Sequence, residues 1–201
     1  MKIITVDREF GSGGRELGKR LADALNIPCY DQEIIDEVAK LHGLDPSHVE
    51  HISESDIRAV YPITIGRRFA MMPTMEKDRI KILVTQQEVI KKLAEAGSCV
   101  VIGRCADIIL QDLCPFNLFV YANEQSKLSR CIEREKNGQN SREILARMKK
   151  IDRERALHRE LLANSKWGNK EVYHLCVDTS EKEIKTLIPG LVEYIRCWYQ
   201  E

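Results

Sequence analysis

The sequence predicts an α/β fold built around a parallel sheet, and three observations carry that prediction. Short β-rich runs alternate with longer helical stretches, as in successive βαβ units. The runs are apolar almost throughout and not only at alternate positions, which suits strands covered on both faces. The first run leads into a glycine-rich turn, Gly11-Ser12-Gly13-Gly14, that opens directly into a helix-forming stretch.

Taken in order, the first strand is predicted at Lys2 to Val6, with Asp7 at its end, and helices at Gly14 to Leu25 and Gln32 to Leu41. From Asp45 to Pro73 three prolines and mixed polarity interrupt the rhythm, so this stretch reads as an insertion over one edge of the sheet. A helix at Lys77 to Ala96 leads to strands at Cys99 to Ile102 and Asn117 to Tyr121. Helices at Glu124 to Glu135 and Ser141 to Leu162 follow, then a strand at Tyr173 to Val177 and a last helix at Glu181 to Trp198. Several of these helices carry apolar residues at i, i+3 and i+4. From Glu133 to Lys170 the chain is crowded with charge, which suits either a solvated helix laced with ion pairs or a basic flap over an anionic ligand. No repeat, low-complexity tract or linker divides residues 1–201, so one domain is expected.

Composition narrows the function classes. The 201 residues carry 31 Lys+Arg and 31 Asp+Glu, a formal net charge of zero. That balance argues against a generic polyanion binder, since non-specific nucleic-acid affinity needs an excess of cations, and no nucleic-acid partner is expected. No run of ~18 apolar residues is present, so a soluble, cytoplasmic protein without a membrane partner is expected. Seven cysteines, an odd number with no CxxC pair, suggest neither a disulfide framework nor a zinc site. They sit mostly among aliphatic residues and read as small core hydrophobes. No metal ligands are assigned. The apolar-aromatic tail from Tyr194 to Tyr199 packs either on its own core or on a second subunit, which leaves a homo-oligomer open.

The chemistry-bearing segment is Arg8-Glu9-Phe10-Gly11-Ser12-Gly13-Gly14-Arg15-Glu16. A strand, a glycine-rich turn and a helix N-terminus together aim backbone N–H groups at one point, and the helix dipole adds positive potential there. Phosphate is the natural guest. Gly11, Gly13 and Gly14 are predicted to form the cradle, with Ser12 and Arg15 donating from their side chains and Glu16 beside them. The segment departs from G-x-x-x-x-G-K-[ST]. With Gly14 taken as the last loop glycine, Arg15 stands for the lysine, and Glu16 or Leu17 replaces the hydroxyl residue that would touch Mg²⁺.

This segment, with Ile27-Pro28-Cys29-Tyr30-Asp31, Val101-Ile102-Gly103-Arg104-Cys105-Ala106-Asp107, Ile151-Asp152-Arg153-Glu154-Arg155, Lys166-Trp167-Gly168 and Val177-Asp178-Thr179-Ser180, resembles the cytidylate kinase-like family. That family stands among the P-loop nucleoside monophosphate kinases, and the resemblance runs over essentially the whole chain. It implies a three-layer, P-loop NTPase-like core with a parallel sheet, a helical monophosphate-binding insertion at residues 30–97 and an arginine-bearing lid at 133–170. In cytidylate kinases a Gly-Arg-Asp segment after a core strand contacts the acceptor. Gly103-Arg104 matches its first two residues, Cys105 stands for the aspartate, and Asp107 lies two positions on. Arg153 and Arg155, after Asp152, fall on the stretch whose arginines pair with the phosphates, and Asp31 falls near the acceptor. Asp178 to Ser180 either border the adenine pocket or cap the last helix. Where paired tyrosines and a Thr-Gly are usual, this chain has Leu157-His158 and Ala163-Asn164, which marks a divergent member.

The expected activity is therefore ATP- and Mg²⁺-dependent phosphoryl transfer to a nucleoside monophosphate of the CMP or dCMP kind. Arg15, Arg153 and Arg155 are the expected catalytic arginines. Asp31, Arg104, Asp107 and Asp152 are the expected acceptor-binding residues. The atypical loop keeps two other functions open: a nucleotide-binding regulator with little transfer, and a kinase of a small molecule that is not a nucleotide.

Overall fold

The structure is a computed structural model, and it describes residues 1–54, 74–134, 140–163 and 165–200. In chain order the elements are β1 (Ile3–Arg8), α1 (Gly14–Leu25), β2 (Cys29–Tyr30), α2 (Gln32–His42), α3 (Pro46–Glu54), α4 (Thr74–Glu95), β3 (Cys99–Ile102), α5 (Ala106–Ile109), β4 (Phe116–Tyr121), α6 (Glu124–Arg134), α7 (Ser141–Ala163), β5 (Leu175–Asp178) and α8 (Ile184–Trp198). The four predicted strands are present with ends displaced by up to two residues, and β2 is an additional one. The predicted insertion at 45–73 contributes α3; its remainder, like part of the predicted lid, lies outside the described residues.

All five strands are parallel, in the order β2-β3-β1-β4-β5. Ile3 is level with Cys99 of β3, and Ile4 with Phe116 of β4, so β1 is the central strand with neighbours on both sides. Because strand side chains alternate between faces, successive residues feed two cores. Ile3, Cys99 and Val101 pack with Ile34, Val38, Ile82 and Ile90 from α2 and α4. Ile4, Val6, Val100 and Ile102 pack with Leu17 and Leu21 of α1 and Ile188, Leu191 and Ile195 of α8. This yields the expected three layers of helix, sheet and helix, and explains why the strands read as continuous apolar runs.

Local chemistry sets the helix limits. Helix α1 buries Leu17, Leu21 and Ala22 on one face and stops at Asn26, whose left-handed backbone (φ 53°) points its N–H back at the carbonyls of Ala22 and Asp23. Helix α2 buries Ile34, Ile35, Val38 and Ala39 and ends the same way at Gly43. The central strand consequently delivers Asp7 and Arg8 to the carboxyl edge of the sheet. Residues 103–105 after β3 flank them on one side and residues 120–122 on the other. Ligands of open parallel sheets bind at this edge.

Candidate active site

The glycine-rich turn is fixed from several sides. The Glu9 N–H donates to the Val120 carbonyl at 3.0 Å, continuing the β1–β4 pairing past the end of β1. Ser12 is fully buried; its N–H and Oγ both donate to the Glu9 carbonyl, at 3.3 and 2.8 Å, and its Oγ accepts the Gly14 N–H at 3.4 Å. The hydroxyl therefore closes the turn from within. The Phe10 N–H donates to Asp152 Oδ1 of α7 at 2.7 Å. The Ser12 carbonyl accepts from Thr179 Oγ1 at 2.6 Å and from Arg130 Nη1 of α6 at 3.2 Å, and Arg130 also donates to the Thr179 carbonyl. Gly11 and Gly13 take left-handed backbone (φ 78° and 81°), and a Cβ on Gly11 would meet the Lys127 carbonyl at 2.9 Å. Glycine alone satisfies both demands.

Next to the turn lies a cavity of about 200 Å³, lined by the backbone of Gly11, Gly13 and Gly14 and by five arginines, Arg8, Arg15, Arg104, Arg134 and Arg155. Three carboxylates, Glu9, Asp31 and Glu50, share the lining. Arg15 is ion-paired through its Nε with Asp31. Arg155 Nη1 donates to the Arg8 carbonyl at 3.0 Å and lies 3.8 Å from Asp152 Oδ1. The Phe10 ring carries the guanidiniums of Arg147 and Arg155 at 5.4 and 6.0 Å from its centroid, the range of a cation–π contact. Burial pushes the Asp152 carboxyl up to about 6, against the downward pull of the Phe10 N–H, Arg155 and Lys127.

The backbone after β3 is unusual. Gly103, Arg104 and Cys105 are left-handed in succession (φ 69°, 60° and 51°). Such backbone costs a non-glycine residue about 1–3 kcal/mol and persists where surrounding structure imposes it, commonly at functional sites. It turns Arg104 towards the cavity.

Under this surface lies a buried ionic network. Arg159 of α7 is 3% exposed; its Nη1 lies 2.6 Å from Asp107 Oδ2 and 3.7 Å from Asp7 Oδ2. Tyr173 donates its OH to Asp7 Oδ2 at 2.8 Å, and the Arg159 guanidinium stands 4.9 Å from the Tyr173 ring centroid. Burial raises the Asp107 carboxyl, with Arg159 opposing, and raises the Tyr173 phenol strongly. The Cys105 thiol is pushed far up by burial and by the facing Asp7 and Asp107, so it is no nucleophile near neutral pH. Burial, aided by Arg104, lowers His158 to about 4.

Of the residues singled out from sequence, Gly11, Gly13, Gly14, Arg15, Asp31, Arg104 and Arg155 line one cavity. Ser12 and Asp152 brace the turn without lining it. Asp107 is taken up in the Arg159 ion pair below. Arg153 points outward on the exposed side of α7. Glu16 pairs with Arg20 at 2.7 Å and faces a neighbouring cavity of about 760 Å³ between α1, α6 and the turn before α8. The loop register also needs correcting. The helix begins at Gly14 with left-handed Gly13 as its cap, so Gly13 is the last loop glycine, Gly14 holds the lysine position and Arg15 the hydroxyl position. Arg15 consequently projects outward, towards Asp31.

Sequence reasoning missed Arg8 and Arg130. Arg8 takes the pattern's first-glycine position only once the start of α1 fixes Gly13 as the second glycine; with Gly14 in that place the position falls on Glu9, which hid it. Arg130 carried no signal, being one cation in a charged helix. Among the described residues no group of three His, Cys, Asp or Glu side chains is poised to hold a metal. Mg²⁺ keeps several waters and takes one or two carboxylates plus substrate phosphates; the carboxylates at the cavity are Glu9, paired with Lys127 at 2.8 Å, Asp31, paired with Arg15, and Glu50. Among the described residues no helix is long and apolar enough to cross a membrane.

Comparison with known proteins agrees with this geometry. The sequence model of the cytidylate kinase-like family matches residues 3–181. No curated protein matches. Among solved structures, an uncharacterized protein from Eubacterium ventriosum is 29% identical, with a TM-score of 0.70 over 97% of this chain and 98% of the other. The shikimate kinase from Bacteroides thetaiotaomicron superposes at a TM-score of 0.58 with 13% identity, over 100% and 99% of the two chains. A gluconokinase from Sinorhizobium meliloti superposes at 0.53 with 17% identity, over 100% and 97%. The last two share the fold, that of P-loop kinases.

Proposed function

The chain belongs to the cytidylate kinase-like family, and from that premise we propose that it transfers a phosphoryl group from ATP to a nucleoside monophosphate, with CMP or dCMP the first acceptors to try. Family and fold support phosphoryl transfer; the acceptor is our own reading. One observation carries it: arginines from five separate segments line a single small cavity together with the backbone of a glycine-rich turn.

Phosphoryl transfer asks a protein for little covalent work. It must hold donor and acceptor in line and neutralise charge that spreads over the transferring group. In this reading the Gly11 to Gly14 backbone receives the β- and γ-phosphates of ATP at the N-terminus of α1. The base and ribose lie towards the larger cavity beside Arg130, Lys182 and Ile184. Arg104, turned out by its left-handed backbone, holds the acceptor phosphate, with Asp31 nearby. Arg155 faces the transferring group and Arg134 approaches from the end of α6. Mg²⁺, when bound with ATP, screens the phosphate charge and polarises the phosphoryl oxygens. Residues 30–97 receive the acceptor, and the arginine-bearing stretch 133–170, whose helix α7 holds the turn through Asp152 and Arg155, keeps water from the site.

The test is a panel of nucleoside monophosphates with MgATP, reading ADP release and the phosphorylated product. Turnover with CMP or dCMP well above that with AMP, UMP and GMP supports the reading. Turnover only with sugar-acid or polyol acceptors reassigns the acceptor. Tight ATP binding without any turnover makes the chain a nucleotide-binding regulator.

A further inference from the structure

The glycine-rich turn carries a rearrangement of the phosphate-loop pattern. In G-x-x-x-x-G-K-[ST] the two glycines are five positions apart and the lysine follows the second. With Gly13 fixed as the second glycine by the start of α1, the first-glycine position is residue 8 and the lysine position is residue 14. Residue 8 is arginine and residue 14 is glycine. Cation and glycine have exchanged places.

The geometry explains how each half of the exchange requires the other. A Cβ on Gly14 would fall 2.5 Å from Arg8 Cβ and 2.9 Å from Arg8 Cγ. The stem of Arg8 therefore fills the volume that a lysine at residue 14 would use for its own. Farther along, a Cβ on Gly103 would overlap the Arg8 guanidinium, 2.7 Å from its Cζ. Two glycines from different elements thus leave a track for one arginine, whose side chain runs from the end of β1 across the start of α1 and lines the phosphate-sized cavity. The Arg8 backbone is held as well, its N–H donating to Asp7 Oδ1 at 2.9 Å and its carbonyl accepting from Arg155 at 3.0 Å.

We propose that Arg8 is the phosphate-binding cation of this loop, delivered from the strand end in place of the helix-start lysine, for the terminal phosphates of a nucleoside triphosphate. The inference rests on the proposed use of ATP, and it assigns Arg8 a role that the register had given to Arg15. A guanidinium in that position can grip two phosphate oxygens with its planar fork, where an ammonium acts as a point charge.

Calorimetric binding of ATP and of adenosine, without turnover, tests the exchange. Arg8→Gly and Arg8→Gln should each weaken ATP by about 10- to 100-fold, the loss of charge-assisted hydrogen bonds, and leave adenosine within about twofold. Arg8→Gln keeps the stem, so it remains informative should the glycine variant fold poorly. Gly14→Lys alone should lower the melting temperature, because its stem collides with that of Arg8. The double variant Arg8→Gly/Gly14→Lys should recover the melting temperature and most of the ATP affinity. Wild-type ATP affinity in Arg8→Gln, or a double variant that binds ATP no better than Arg8→Gly, overturns the inference. If the unmodified chain binds no ATP at all, the proposed function falls with it, an outcome distinct from the other two.

Discussion

Arg155 joins two tasks in one guanidinium. It faces the cavity with Arg104 and Arg134, and it holds the Arg8 carbonyl at 3.0 Å. Arg155→Ala should therefore lower kcat/KM for the accepted substrate by about 10²–10³, as for loss of one preorganised donor to a developing charge. ATP affinity should fall less, which steady-state kinetics beside calorimetry will separate. Two neighbours on α7 bear on pH. His158, lowered to about 4 in the fold, is protonated only in the unfolded chain between there and its ordinary ~6.5, so its contribution to stability is present above pH ~6.5 and lost as pH falls towards 4. Asp152, raised to about 6, acts with the opposite sign: its contribution is present below its ordinary ~3.9 and lost as pH rises through 6. Urea midpoints taken from pH 7 to pH 4 should fall less steeply in His158→Gln than in wild type and more steeply in Asp152→Asn. Identical slopes in all three would remove both groups from the linkage. At this scale the sequence displayed much of the site, because Gly11 to Gly14, Arg15, Asp31, Arg104 and Arg155 are residue types whose chemistry is local. Asp107 and Arg153 could not be sorted without coordinates, since only the fold turns one carboxylate inward to Arg159 and one arginine outward to solvent.

Helix α7 is the element on which the site depends, and a buried charge cluster pins it to the sheet. Arg159 meets Asp107 from α5 and Asp7 from β1, with Tyr173 closing the group from the segment before β5. Removing one partner of a buried pair leaves an uncompensated charge, so Arg159→Ala should cost about 3–5 kcal/mol in a urea unfolding experiment. Arg159→Met with Asp107→Leu should cost less than Arg159→Ala alone, because the second substitution removes one of the stranded carboxylates. A double variant as unstable as the single one would mean that packing around Arg159, and not its charge, holds the helix. The charge-rich stretch admitted two readings from sequence, and α7 contains both. Lys149 pairs with Glu124 at 3.2 Å on the solvated side, while Arg155 and Arg159 turn inward. Periodicity marked the buried face only at its start, where Ile144 and Met148 pack with Cys131 of α6; farther along the same face the inward positions are Arg155 and Arg159, and an apolar pattern does not announce a buried cation. Strand β2 escaped for another reason: it is two residues long, too short to display any alternation, and is defined only by its pairing with Val100 and Val101 of β3.

Across the whole molecule, a neutral chain builds a local concentration of positive charge by topology. The sequence has 31 basic and 31 acidic residues, yet five arginines from β1, α1, the β3–α5 turn, α6 and α7 line one cavity against three carboxylates. The three-layer class was legible because continuous apolar runs require cover on both faces. The strand order was not, since it places β3, ninety residues distant in sequence, beside β1, and no local pattern encodes that pairing. It is the order that brings Gly103 and Arg104 next to Arg8. The charge distribution predicts a salt response that composition alone would not. Raising salt from 0.1 M to 1 M shortens the screening length from about 10 Å to about 3 Å. ATP, whose charged tail would sit among the five arginines, should lose about tenfold or more in affinity over that range, whereas adenosine should change little. The melting temperature of the unliganded protein should also change little, because its surface ion pairs are exposed and individually weak. Titrations of both ligands at the two salt concentrations, with a thermal scan at each, check this. Equal salt dependence for ATP and adenosine would show that the arginine cavity does not set nucleotide affinity, and parallel loss of the fold would show that its charges serve stability instead.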